Sequence, residues 1–102
     1  MRIIAGVAKG RNLATVAGAT RPTSDRAREA LFSTLLSEFG EFENLKFLDL
    51  FAGSGAVGLE ALSRGVSLVH AVEKDDSAAK TIAQIKRSLK NLIRLENFIC
   101  MR

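Results

Sequence analysis

Three glycines, Gly53, Gly55 and Gly58, follow a short apolar run, Phe47 to Phe51, and lead into a helix-forming run, Leu59 to Ser63. Glycines at such a strand-to-helix turn let the backbone bend sharply and let a ligand approach with no Cβ in the way. Glu73 ends the next apolar run, Leu68 to Val72, 20 residues after Gly53. A carboxylate at that spacing can accept hydrogen bonds from the two vicinal hydroxyls of a ribose. The pattern reads as half of a nucleoside-cofactor pocket, lined by Asp49, Phe51, Ala52, Gly53, Ser54, Gly55 and Glu73. A glycine triplet alone also occurs where a helix merely packs on a strand. Here the preceding strand, Asp49, the following helix and Glu73 together carry the functional reading.

Spacing fits a nicotinamide or flavin dinucleotide as well as any other nucleoside cofactor, so charge must choose. A dinucleotide brings an anionic pyrophosphate to the turn, where backbone N–H groups and a helix N-terminus receive it. Asp49, four residues before Gly53, would repel that group. S-adenosylmethionine (AdoMet) instead carries a cationic sulfonium and an α-ammonium group, which a carboxylate attracts directly or through water. From Glu41 to Glu73 five acids (Glu41, Glu43, Asp49, Glu60 and Glu73) face two bases, Lys46 and Arg64, a net charge of −3. That balance favours AdoMet.

The elements that must position these residues fit in a chain of 102 residues, one small domain or part of one, with 47% hydrophobic content. Cys100 is the single cysteine, which excludes an intrachain disulfide and suits a reducing, cytoplasmic compartment. It reads as an apolar strand residue rather than a catalytic thiol. No apolar run approaches the ~20 residues of a membrane span, and Met1 to Gly6 is too short for a signal peptide. His70 falls in mid-strand with no metal-binding partner spaced nearby, so it reads as a packing residue and no metal is expected.

The net charge of +4 is unevenly spread. Residues 1–24 carry Arg2, Lys9, Arg11 and Arg21 with no acid at all. Residues 74–102 hold seven bases against three acids, which reads as the solvated face of an amphipathic helix. The first segment reads differently, because bases without acids in a short glycine-punctuated hairpin have no helical face to decorate. Nucleic acid is the partner it suits. Arg2 to Val7 and Arg11 to Thr15 form the expected hairpin, with Lys9 at its tip. Pro22 forces Arg21 out of helical geometry, and Thr23 or Ser24 can cap the helix that follows. Its expected apolar face is Ala27, Ala30, Leu31, Leu35 and Leu36, ending at Phe39-Gly40, while Arg26 and Glu29 lie one turn apart and can pair. A third helix, capped by Asp75 or Asp76, would align Ile82, Ile85 and Leu89, and Phe98 to Met101 could begin a third strand.

Three ordered segments resemble a known family. They are Arg2-Ile3-Ile4-Ala5-Gly6 with Lys9-Gly10-Arg11, then Thr20-Arg21-Pro22-Thr23-Ser24-Asp25-Arg26-Ala27-Arg28-Glu29-Ala30-Leu31-Phe32, then Asp49 through Gly65. Together they closely resemble the RsmD-type bacterial 16S rRNA (guanine-N2)-methyltransferases over residues 1 to about 84. The resemblance implies an α/β, Rossmann-like AdoMet-dependent methyltransferase fold with an N-terminal β-hairpin extension that helps hold RNA. On that basis residues 1–42 are the RNA-binding hairpin and helix, and residues 43–102 the first half of the AdoMet domain with an incomplete parallel sheet. Glu73-Lys74-Asp75 resembles the family's acidic ribose-binding turn, which adds Lys74 to the cofactor set. Arg26, inside the second segment, joins Arg2, Lys9, Arg11 and Arg21 as a candidate RNA contact. The implied substrate is the exocyclic amine of a guanine in 16S rRNA, free or in an assembling 30S particle.

Members of the family carry an Asp- or Asn-Pro-Pro-Tyr segment after the fourth strand that binds the target amine. Here Pro22 is the only proline and tyrosine is absent, so no catalytic residue can be named and the chain reads as the N-terminal half of such an enzyme. Alone it is expected to be inactive. Strand 47–51 is expected to be central, flanked on one side by the strand after the third helix, with its other edge open to self-association. Two other classes stay open. One is an AdoMet-dependent methyltransferase acting on another nucleic-acid base or a protein amide; the other is a non-catalytic RNA- or cofactor-binding remnant.

Overall fold

Ser24 starts the first helix by accepting the Ala27 N–H on its hydroxyl at 3.1 Å. In the computed structural model, which describes residues 2–12, 24–50, 53, 55–74, 80–84, 87 and 95–101, this helix α1 spans Asp25–Phe39. It stops at Gly40, whose N–H donates to the Leu36 carbonyl. Strand β1 (Lys46–Asp49) follows, then helix α2 (Ala56–Ser63) and strand β2 (Leu68–Val72). Residues 80–84 are helical, and a 3-10 turn (Leu95–Asn97) leads into strand β3 (Phe98–Met101). The second strand, the second helix and the third strand thus lie where the sequence pattern puts them. Thr23, Asp75, Asp76, Ile85 and Leu89 lie outside the described residues.

All strand pairings are parallel, in the order β1-β2-β3. Phe47 faces Val69 across one ladder and Val69 faces Phe98 across the next. This order corrects the expectation that β1 would be central with the third strand at its side. β2 occupies that place, and β1 pairs only with β2 among the described residues. The reason lies in the apolar pattern. β2 alternates half-buried with fully buried positions, whereas β1 leaves Leu48 and the following Leu50 more than half exposed. One face of the sheet packs on α2, and the rows Val69, Ala71 and Phe98 form the core there with Leu59, Ala56 and Ile82.

One further expectation, the inward face of α1, gives way to long-range contacts. Among the described residues the N-terminal hairpin shows one antiparallel bridge, Arg2 with Asn12, around a turn at residues 7–10 that carries Lys9. The Ile3 N–H donates to the Arg11 carbonyl at 2.9 Å and the Gly10 N–H to the Ile3 carbonyl at 2.8 Å. Residues 13–15 of the expected second strand lie outside the described residues. Helix α1 turns a different face inward than its apolar residues suggest: Arg28 and Phe32 are fully buried and Leu35 is half-buried, while Ala27, Ala30, Leu31 and Leu36 are exposed. Phe32 stacks on Phe47 and meets Phe42 edge-on, at centroid distances of 6.1 and 6.2 Å.

Gly58 sets how closely α2 lies on the sheet. A Cβ there would sit 2.8 Å from Val69 Cγ1 and 3.0 Å from Phe98 Cε2, both in the core. Overpacking of this kind costs about 1–3 kcal/mol, so Gly58→Ala is expected to lower the denaturation midpoint with an unchanged m-value. Equal midpoints for the two proteins would show that the helix can move away at no cost.

Candidate functional site

β1 ends at Asp49, and Asp49 is in register with Ala71 on β2. Parallel pairing therefore brings Asp49 and Glu73, two residues past Ala71, to the same end of adjacent strands. The connection from β1 into α2 arrives at that end too. Gly55 is the N-cap of α2 with φ 81°, a left-handed conformation that favours glycine, and its absent Cβ would press within 3.2 Å of Ile82 Cγ1 and 3.3 Å of Phe98 Cζ. Glu73 Oε1 accepts the Gly53 N–H at 2.7 Å. The carboxylate that sequence spacing assigned to a ribose is thus bonded to the turn itself, which fixes both its position and the turn's shape. Phe51, Ala52 and Ser54 lie outside the described residues, and Lys74 is exposed beside Glu73.

The acidity of this end is more local than the sequence count implies. Glu41 and Glu43 precede β1 and line an open cleft of about 390 Å³ with Gly6, Arg64 and Gly65, at the far end of α2. Glu60 is buried and paired. Only Asp49 and Glu73, of the five acids counted, stand at the glycine turn. A second cleft of about 290 Å³, lined by Phe32, Phe39, Phe42 and Phe47 among others, also lies at the opposite end of β1. Both are too far along the sheet to bear on the cofactor reading.

Sequence patterning missed a second centre, on the outer side of α2. Glu60 and Arg28 are both fully buried, with Arg28 Nε 3.8 Å from Glu60 Oε1. Arg64 Nε donates to Glu60 Oε2 at 2.8 Å, and its guanidinium lies 4.9 Å over the Phe32 ring. The remaining donors to Glu60 come from the N-terminal segment: the Ile4 N–H reaches Oε1 at 2.8 Å and the Ala5 N–H reaches Oε2 at 3.0 Å. Ser63, one turn on, adds three contacts. Its Oγ accepts the Ala8 N–H at 3.0 Å and donates to the Ala5 carbonyl at 2.7 Å, and its carbonyl accepts the Val7 N–H at 2.9 Å. Arg28 Nη2 donates to the Arg2 carbonyl at 2.5 Å and to Asp25 Oδ1 at 2.6 Å. The only sequence signal for this centre was an arginine and a glutamate inside otherwise apolar helix faces.

The arm so held presents its bases outward. Arg2, Lys9 and Arg11 are exposed, as is Arg26 on α1, and Arg21 lies outside the described residues. Arg2 also pairs loosely with Asp25, Nε to Oδ2 at 3.7 Å, so an acid just beyond the acid-free segment offsets part of its charge. No group of His, Cys, Asp and Glu among the described residues is arranged to hold a metal ion. Likewise none of the described helices is long and apolar enough to cross a membrane.

Comparison with known proteins adds to this geometry. A family described as Conserved hypothetical protein 95 matches residues 1–99. Ribosomal RNA small subunit methyltransferase D of Haemophilus influenzae is 42% identical over 93 residues, covering 90% of this chain and 45% of that protein. The chain therefore spans about half the length of such relatives. A solved structure of a hypothetical protein from Thermus thermophilus superposes with a TM-score of 0.81 at 39% identity, over 99% of this chain and 54% of that one. Precorrin-6y C5,15-methyltransferase of Geobacter metallireducens, at 20% identity and a TM-score of 0.65, shares the fold alone, over 95% of this chain and 47% of its own. With the glycine turn, Glu73 and the parallel sheet in the places such a fold requires, the chain belongs to the Conserved hypothetical protein 95 family, the RsmD family, and has the Rossmann-like α/β architecture of the N-terminal half of a methyltransferase.

Proposed function

We propose that this chain is the cofactor-holding and RNA-holding part of an AdoMet-dependent methyltransferase that acts on small-subunit rRNA, in the cytoplasm. The observation that supports the reading is the 2.7 Å bond between Glu73 and the Gly53 N–H, which holds a carboxylate against a glycine turn with Asp49 at the end of the adjacent strand. The donor set fits AdoMet. Glu73 would take the ribose hydroxyls, Asp49 the cationic end, and Phe51, Ala52, Gly53, Ser54, Gly55 and Lys74 would complete the wall. AdoMet supplies an electrophilic methyl on sulfonium. The relatives' name supports rRNA as substrate, and the exposed bases of the arm suit its phosphates.

Within that reading, the N2 amine of a guanine is the target we infer. Its lone pair is delocalised into the ring, so catalysis rests on in-line positioning and on an acceptor for the developing positive charge. The base must also leave its stack to reach the turn. Residues 1–42 serve RNA and residues 43–102 serve the cofactor, and these 102 residues alone are expected to transfer no methyl group.

The arm gives the direct test of the RNA half. Replacing Arg2, Lys9, Arg11 and Arg21 together by alanine should weaken binding to small-subunit rRNA and flatten its salt dependence, by about one unit of slope or less per base. AdoMet affinity should not change. Binding as tight as wild type at several salt concentrations would make the arm purely structural.

A further inference from the structure

We propose that Glu60 is the positioning residue of the N-terminal arm: clamped between Arg28 and Arg64, it fixes the backbone from which Arg2, Lys9 and Arg11 are presented to RNA. This inference rests on the arm's proposed role in holding RNA. A carboxylate buried among apolar groups needs partners for its oxygens, and here two of four come from the arm itself, the amides of Ile4 and Ala5. Ser63 on the same helix holds Ala5, Val7 and Ala8, while Arg28 holds the Arg2 carbonyl. Every one of these contacts is to main chain, so the side chains of Arg2, Lys9 and Arg11 are left outward and exposed.

Gly6 shows how close the fit is. A Cβ there would lie 1.9 Å from the Ser63 carbonyl oxygen, with φ at +87°, so the arm can lie on α2 only because residue 6 is glycine. An arm ordered in advance does not have to be ordered by the RNA. Its release would transfer the cost of fixing several residues to the binding step, without removing any base from the bound complex.

This separates positioning from contact. In a plot of log affinity for small-subunit rRNA against log salt, loss of phosphate contacts lowers the slope, whereas loss of pre-ordering displaces the line in parallel. Two variants of the protein release the arm by different routes. Glu60→Gln keeps the volume and one acceptor but gives up the second, and Gly6→Ala dislodges the arm while leaving the Arg28, Glu60 and Arg64 side chains unchanged. Both should speed hydrogen exchange at the Ile4, Ala5, Val7 and Ala8 amides and weaken rRNA binding roughly ten- to a hundredfold at every salt concentration. The slope should stay at the wild-type value and AdoMet affinity within about twofold, which a general loss of fold would not allow. Faster exchange with unchanged rRNA affinity in Gly6→Ala overturns the inference, as does a fall in slope equal to that of the four-base alanine variant. If the four-base variant itself binds rRNA like wild type, the arm's role in RNA binding is what fails.

Discussion

Glu60→Ala is expected to remove about 3–5 kcal/mol of folding stability, the range for breaking a buried ion pair. Arg28 is fully buried and keeps Asp25 and the Arg2 carbonyl but loses the carboxylate beside its Nε, and the Ile4 and Ala5 amides lose their acceptors at the same time. Arg64, partly accessible at the edge of the cluster, can hydrate instead. For a small domain whose total stability is about 5–15 kcal/mol, such a loss brings the chain close to unfolding at ambient temperature. The mechanism has its own signature. If the cost lies in the broken ion pair, Arg28→Met combined with Glu60→Leu should recover much of the stability that Glu60→Ala loses, because a well-packed apolar pair can replace a buried ion pair. Chemical denaturation of the three proteins decides it. A double variant no more stable than Glu60→Ala would place the cost in the arm's main-chain hydrogen bonds instead.

The second large effect is on the cofactor. Glu73→Ala should weaken AdoMet binding by about 1.5–3 kcal/mol, the range for a hydrogen bond to a charged group, which is roughly ten- to a hundredfold in affinity. Two losses act together, since the same carboxylate that would bind the ribose also holds the Gly53 N–H. Stability should change far less than for Glu60→Ala, because Glu73 is only half-buried at the open end of the sheet. Asp49→Ala should weaken AdoMet as well, through the cationic end of the cofactor. Titration calorimetry giving wild-type affinity for both variants would remove the pocket assignment.

How much of this was legible in the chain depends on the range of the interactions. The glycine turn, α2 and β2 were legible, because strand and helix lengths fix the 20-residue spacing between Gly53 and Glu73, but the bond from the Gly53 N–H to the Glu73 carboxylate was not foreseen. The Ser24 cap and the third strand rest on equally local signals. Which face of α1 turns inward was not local. Apolar periodicity selects Leu31 and Leu36, yet Arg28 is buried, with Asp25 on its own helix, Glu60 on another and the Arg2 carbonyl among its partners. The hairpin was legible in part. The Arg2–Asn12 bridge and the bonds between Ile3 and both Gly10 and Arg11 close it, while the amides of Ile4, Ala5, Val7 and Ala8 are satisfied by Glu60 and Ser63 on a distant helix. Strand order and the true charge of the glycine-turn end depended likewise on partners far away in sequence. Glu60 belongs to the arm's clamp, which leaves Asp49 and Glu73 as the two acids of that count at the glycine turn.

That reduced charge makes the choice between cofactors the sharpest test of the whole account. The measurement is titration of the protein with AdoMet and, separately, with NADH, under the same buffer and salt. AdoMet is expected to bind saturably and more tightly, and Asp49→Asn is expected to narrow the gap by weakening AdoMet while relieving the repulsion of the pyrophosphate. Tighter binding of NADH than of AdoMet to the wild-type protein would contradict the assignment of this turn to a cationic, phosphate-free cofactor.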